Sequence, residues 1–175
     1  MFKSLEESNL TTLHLVKPEV TKKFYELSSG QNVFATIDLI HGAGSLARLE
    51  TISGSFTIKR QGFFMPYVSL RKEKSDVDIL SLPLDLQGNA QFYLEGHFFR
   101  FAAFNLWKNQ WGWQNEKGKI VIKYLPTLSG QIKGDVEFCK DFIFLEHIEL
   151  VAALGAYLLL QLEDELSQKN NQKII

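Results

Sequence analysis

From Leu150 to Leu160 the chain reads Leu-Val-Ala-Ala-Leu-Gly-Ala-Tyr-Leu-Leu-Leu, without one charged or amide side chain. Leu and Ala are strong helix formers, and the isolated Gly155 is the single turn signal in the run. Glu146 and Glu149 suit the start of a helix, and Lys169, Asn170 and Asn171 suit its end. The segment therefore predicts a helix over about 144–168. Such a helix is apolar on all sides, so it has no flank that can face water and must be surrounded.

A bilayer is not the expected surrounding. At about 1.5 Å per residue, Leu150 to Leu162 spans roughly 20 Å, against about 30 Å of hydrocarbon. Glu146 and Glu149 precede the run, and Glu163, Asp164 and Glu165 follow it. Drawing such acids into the bilayer centre would cost about 2.5–3.5 kcal/mol for an Asp. The N-terminal Met-Phe-Lys-Ser-Leu-Glu-Glu-Ser carries early acid and lacks the apolar stretch of a signal peptide. The expectation is a cytoplasmic chain with no transmembrane span, peripheral at most to a membrane.

The rest of the chain supplies strands. Between Thr11 and Phe138 the hydrophobic pattern has period two, broken by turn residues. Ile120, Ile122 and Tyr124 share one face while Lys119 and Lys123 share the other. Asn115-Glu-Lys-Gly118 before them reads as a hairpin turn with glycine where φ must be positive. Counted in this way the chain predicts about twelve strands, near 11–17, 22–28, 31–39, 45–52, 55–61, 66–72, 76–82, 89–95, 97–106, 110–114, 119–125 and 132–138. No linker divides them, so residues 1–175 read as one domain.

One helix that needs cover on every side and many strands have one economical solution. The sheet rolls into a closed antiparallel β-barrel around a central hydrophobic C-terminal helix, a mainly β (α+β) architecture. Ala152, Ala153, Gly155 and Ala156 let the wall come close. Leu150, Val151, Leu154, Tyr157, Leu158, Leu159 and Leu160, at about 1.5–3 kcal/mol each, would bring roughly 10–20 kcal/mol of gross burial. That exceeds the net stability of a typical domain, so the barrel should not stand without its helix.

That layout resembles the tubby C-terminal-like superfamily, which includes the tubby proteins, the plant LURP-one-related proteins and the phospholipid scramblases. The resemblance is carried by Ser55-Phe-Thr-Ile-Lys-Arg-Gln-Gly-Phe63 with Pro66-Tyr-Val-Ser-Leu-Arg71, by Phe98-Phe-Arg-Phe and Trp107, and by Leu150-Val-Ala-Ala-Leu-Gly-Ala-Tyr-Leu158. Its shortness is most like the LURP-one-related branch or small bacterial relatives. Tubby domains bind phosphoinositide headgroups, scramblases act at membranes, and many LURP-one-like members have no assigned activity. The resemblance thus implies a non-enzymatic domain that binds a phospholipid headgroup or acts at a membrane surface. The alternative is a protein-interaction or structural domain without a small ligand, and a remoter one is an enzyme using the barrel mouth.

Charge narrows the partners. The net charge is −1, unlike the strongly basic balance of a whole-protein nucleic-acid binder. Residues 1–134 nevertheless carry 16 basic and 12 acidic side chains, against 3 and 8 in residues 135–175. An anionic lipid headgroup would be held by Lys59, Arg60, Arg71 and Lys72, since phosphates take charge-assisted donors. If 55–61 and 66–72 form a hairpin with Arg60 opposite Tyr67 and Arg71 opposite Phe56, the two ends of this set lie roughly 13 Å apart. Then they lie on a solvated strand face. Gly62-Phe-Phe-Met-Pro66 reads either as an apolar loop for a membrane surface or as a loop folded over the barrel end. Trp107, Trp111 and Trp113 read as packing residues.

Catalytic and cofactor signals are thin. His14, His41, His97 and His147 lack metal-ligand spacing, and His147-Ile-Glu149 lacks the P-C-x-x-C partner of a zinc deaminase. Gly42-Ala-Gly44-Ser45 reads as a turn, because no Lys-Ser/Thr follows it. Cys139, the one cysteine, excludes an internal disulfide and reads as a buried inert thiol. No catalytic residue, metal or cofactor is expected.

Overall fold

The structure, a computed structural model, describes residues 1–40, 45–62, 64–127 and 130–172, with side chains up to residue 167. The turn expected at Gly42-Ala-Gly44, His41, Phe63 and the side chains of Lys169, Asn170 and Asn171 lie outside the described residues.

Alternation has produced all twelve strands. They are β1 (Thr12–Val16), β2 (Phe24–Ser29), β3 (Asn32–Leu39), β4 (Leu46–Thr51), β5 (Gly54–Gln61), β6 (Tyr67–Lys72), β7 (Asp78–Pro83), β8 (Ala90–Leu94), β9 (His97–Asn105), β10 (Gln110–Gln114), β11 (Ile120–Pro126) and β12 (Ile132–Phe138). All lie in one antiparallel sheet of order β7-β6-β5-β4-β3-β2-β1-β12-β11-β10-β9-β8. Chain neighbours pair throughout, and β1 joins β12 with Leu13 opposite Val136. The sheet's two edges, β7 and β8, meet through a single bridge, Leu84 to Ala90. The barrel is thus nearly closed, with a seam at that place. Register shifts in β1, β2, β6 and β10 provide the extra twist that such curling requires.

The turns obey the same local chemistry. At the β10–β11 turn Gly118 has φ +73°, and Asn115 Oδ1 accepts from the backbone N–H of Lys117 and Lys119 at 3.1 and 2.9 Å. Asn and Gly there fix the turn and hence the register of the strands it joins.

The C-terminal helix α2 (Ile148–Gln172) starts four residues later than the sequence suggests and runs four further. It is preceded by a 3₁₀ turn over Lys140–Phe142. Every residue from Ile148 to Leu158 is buried, so the helix does run through the middle of the barrel. No helix among the described residues is long and apolar enough to cross a membrane.

Gly155 marks the closest approach of the wall. Trp113 Nε1 donates to the carbonyl of Val151 at 3.0 Å, and the Tyr124 hydroxyl donates to that of Ala152 at 2.8 Å. Trp113 Nε1 also lies 3.1 Å from the Tyr124 oxygen. A Cβ at residue 155 would fall on the Tyr124 hydroxyl and 2.5 Å from Trp113 Nε1. Glycine there lets β10 and β11 brace the helix backbone directly. Burial holds the Tyr124 hydroxyl well above the usual phenol range, against the opposing hydrogen bond from Trp113.

Because consecutive strands are antiparallel, the turns fall alternately at two ends of the barrel. The base holds the start of α2. It is closed by a short N-terminal helix, α1 (Leu5–Ser8), which period-two reading did not reveal. Leu5 is fully buried there, and its backbone N–H donates to Glu149 Oε1 at 2.7 Å. The mouth holds the other end of α2.

Candidate functional site

The helix fills the barrel up to Leu158, and then the packing opens. Between α2, the β5–β6 and β9–β10 turns and the β7–β8 connection lies a cavity of about 380 Å³. Leu158, Leu159, Leu162, Val68, Leu84 and Trp111 give it mainly apolar walls. Gly88 has φ +86°, and a Cβ there would meet Leu162 Cδ2 at 2.6 Å, so the seam loop lies directly on the helix. Size and lining both fall in the range of small-molecule sites.

Seven polar side chains also line this space: Arg60, Asp85, Gln87, Asn109, Gln161, Glu163 and Glu165. Arg60 follows Phe56 and Ile58 on the inward face of β5 and pairs through Nη1 with Glu165 Oε1. Gln161 is 4% exposed and lines the cavity, and neither its Nε2 nor its Oε1 has a hydrogen-bond partner. Leaving a buried amide unpaired costs about 1–3 kcal/mol, so such a group calls for an explanation. Asp85 is engaged in its own turn, accepting from the backbone N–H of Gln87 and Asn89 at 2.8 and 2.9 Å. Desolvation raises its carboxyl, but the hydrogen bond from Asn89 Nδ2 at 2.7 Å and these backbone bonds outweigh that and hold it below the usual range. Burial pushes the Tyr157 hydroxyl up, with the Arg60 charge pulling the other way. Desolvation likewise holds Glu163, at the rim, above the usual carboxylate range, with Lys133 opposing it.

The four cations expected at a headgroup site are spread over two faces and two ends of the hairpin. Arg60 stands opposite Val68, and Arg71 opposite Thr57, one residue away from the register expected from sequence. A slip of one exchanges the faces of a strand. Arg60 is therefore at the mouth and turned inward, paired with Glu165. Lys59, its neighbour in sequence, is exposed on the outer face. Arg71 is paired with Asp78 on β7. Lys72 lies opposite Phe56 near the base and is exposed. Lys59 and Arg71 thus share the outer face as diagonal neighbours, while Arg60 and Lys72 lie on the inward face toward opposite ends of the hairpin.

The mouth carries a second feature. Its loops present large apolar residues to solvent: Val20 in β1–β2, Phe64 and Met65 in β5–β6, Leu86 in β7–β8, and Leu106 and Trp107 in β9–β10. Phe64 is 89% exposed, Leu86 98% and Trp107 100%. Phe64 and Met65 are exposed at the β5–β6 turn and are not folded over the barrel end. Trp107 departs from the expected packing role, whereas Trp113 is core and Trp111 lines the cavity with its Nε1 on Asn109 Oδ1 at 3.0 Å.

Other sequence candidates resolve differently. Glu149 turns to Leu5, away from His147, so the His-x-Glu spacing forms no joint site. His147 instead ties the base together, with Nδ1 2.8 Å from Ser53 Oγ and Nε2 3.2 Å from Glu95 Oε1. Glu95, Glu146 and His147 place their ligand atoms within 4.8 Å of one another, with both carboxylates exposed. Cys139 is half-buried rather than buried, with Sγ 3.8 Å from Asp141 Oδ2, because the strand ends there and the 3₁₀ turn leaves its flank open.

Fold and mouth together define a class by architecture: a nearly closed antiparallel barrel threaded by its own C-terminal helix, with a small cavity and apolar loops at the exit. Comparison of the chain with protein-family models, with curated proteins and with solved structures finds no match.

Proposed function

We propose that this is a non-enzymatic, tubby-like domain that works at a membrane surface and docks by its mouth. The observation that carries this reading is the set of exposed apolar side chains on successive loops at one end of the barrel. Exposed apolar residues scattered singly need no explanation, but a group rimming one concave opening marks an interaction surface. Amphipathic and large apolar side chains such as Trp107, Phe64 and Leu86 suit the boundary between headgroups and acyl chains. The order of elements, twelve strands and then a threaded helix, supports the kinship.

Anionic lipid plays a minor part in this reading. Lys59, Arg60, Arg71 and Lys72 are spread over both faces of the β5–β6 hairpin, and Arg60 is paired with Glu165. A polyphosphate headgroup needs several convergent donors. Binding is expected to rest on apolar insertion and to depend weakly on salt.

Vesicle co-sedimentation tests this. The protein should sediment with phosphatidylcholine vesicles at both low and high salt, with a modest gain when phosphatidylserine is added. Combined substitution Phe64→Ser, Leu86→Ser and Trp107→Ser should lower binding at least about tenfold, since several side chains each lose apolar burial. No sedimentation with either vesicle at low salt overturns the proposal and leaves the mouth loops to a protein partner. Binding confined to phosphatidylserine, and abolished by salt, would move the contact to the cations instead.

A further inference from the structure

Gln161 is the one amide in an apolar stretch, and it sits where the barrel stops covering the helix. A glutamine at 4% exposure normally turns its amide to a carbonyl, a hydroxyl or water. Here neither polar atom has a partner, and the residue borders a cavity whose leucine, valine, proline and tryptophan walls are interrupted by Arg60, Asp85, Gln87, Asn109, Glu163 and Glu165. An unpaired donor and acceptor beside the leucine side of the cleft match a ligand with a hydrocarbon body and a neutral, hydrogen-bonding group. The surrounding charges set the sign. Glu163, Glu165 and Asp85 line the space against Arg60 alone, and Arg60 is held by Glu165. An anionic head would meet more like charge than opposite charge, and a cationic head would have to compete with Arg60 for Glu165.

We propose that the mouth cavity binds one uncharged monoacyl amphiphile, with its chain against Leu158, Leu162 and Val68 and its ester or hydroxyl group read by Gln161. The seam between β7 and β8, joined by one bridge, is the side from which the chain enters. The binding is a property of the cavity and does not depend on docking to vesicles. A dissolved ligand therefore tests it separately from the membrane reading.

The test is calorimetric titration of the whole protein with monodecanoylglycerol below its micelle concentration, with decanoate and decyltrimethylammonium as charged counterparts. The Gln161 side-chain amide is followed by two-dimensional NMR. Monodecanoylglycerol should bind with one-to-one stoichiometry, more tightly than either charged ligand, and should shift the Gln161 amide resonances. Gln161→Leu, which keeps the cavity apolar, should weaken binding about threefold to tenfold, the range of one neutral hydrogen bond. No saturable binding overturns the proposal, as does tighter binding of decanoate or decyltrimethylammonium. So does binding that leaves the Gln161 amide unmoved. If Gln161→Leu does not fold, the NMR shift on the unmodified protein decides alone.

Discussion

The two ends of the central helix carry the same problem and treat it in opposite ways. Glu149 at the base and Gln161 at the mouth are both 4% exposed, and both belong to the helix that the barrel encloses. At the base the N-terminal helix seals the barrel, Leu5 fills the space, and its N–H meets the Glu149 carboxylate at 2.7 Å. At the mouth nothing described meets Gln161, and a cavity of about 380 Å³ remains. A buried polar group with a partner fixes structure, whereas one without a partner is a cost unless something else supplies the partner. By that criterion the base is built for stability, and the proposed binding belongs to the mouth.

The comparison presupposes that the helix is the shared pillar of both ends, and that is where the largest effect is expected. Leu154 is fully enclosed halfway along, so Leu154→Asp places a carboxylate where neither water nor a cation can reach it. Several kcal/mol of desolvation would exceed much of a domain's net stability. The expected outcome is no folded protein by circular dichroism and aggregation on expression. A stable folded variant would mean that the helix can leave the barrel.

Next comes the brace between the two ends. Gly155→Ala gains about 1 kcal/mol of helix propensity but drives a methyl into Tyr124 and Trp113. A net loss of about 2 kcal/mol is expected, lowering Tm by roughly 4–8 °C for a chain of this size. Removing the obstructing hydroxyl with Tyr124→Phe should recover part of that loss. A double-mutant cycle in urea would measure the coupling, and simple additivity would refute the close approach.

Tyrosine burial adds a pH dependence with a definite sign. Tyr124 and Tyr157 are held above the ordinary phenol range in the folded protein, chiefly by burial. Once unfolded they ionise near pH 10, so above that pH the folded state binds more protons than the unfolded state. Their stabilising contribution is complete below about pH 10 and falls by about 1.4 kcal/mol per group for each further pH unit. Urea midpoints should drop accordingly between about pH 10 and 11. Phenolate absorbance of these two groups should appear together with loss of circular dichroism, not before it.

Much of this was legible in the sequence because it is local. Period-two alternation located the strands, and an unbroken apolar helix required a sheet that encloses it. Gly155 and its small neighbours marked a close wall. The base was not legible: Leu5 and Glu149 lie 144 positions apart, and no pattern within either segment names the other. The placement of the headgroup set was legible only in part, for a related reason. The separation of Lys59 and Arg60 from Arg71 and Lys72 along the hairpin was already legible, but the one-residue difference in register, which sets Lys59 beside Arg71 and Arg60 opposite Val68, was not. Gln161 was read as an interruption in an apolar run, and its lack of a partner belongs to the mouth, where the helix meets the β5–β6, β7–β8 and β9–β10 loops.

The last comparison is the most discriminating, because one kind of substitution should have opposite signs at the two ends. Glu149→Leu removes the acceptor of the Leu5 N–H and leaves that buried donor unpaired, which should cost about 1–3 kcal/mol. Gln161→Leu removes a donor and an acceptor that are already unpaired, and keeps a side chain of similar size against Leu158 and Leu162. It should therefore raise stability, by about 1 kcal/mol, a shift of roughly 2–4 °C in Tm. Both variants are measured in the same urea titration, where any general effect of placing leucine in this helix would move them in one direction. Equal destabilisation would mean that Gln161 has a structural partner after all. Opposite signs would mean that the barrel tolerates an unpaired amide at its mouth, which is expected of a residue kept for a ligand rather than for the fold.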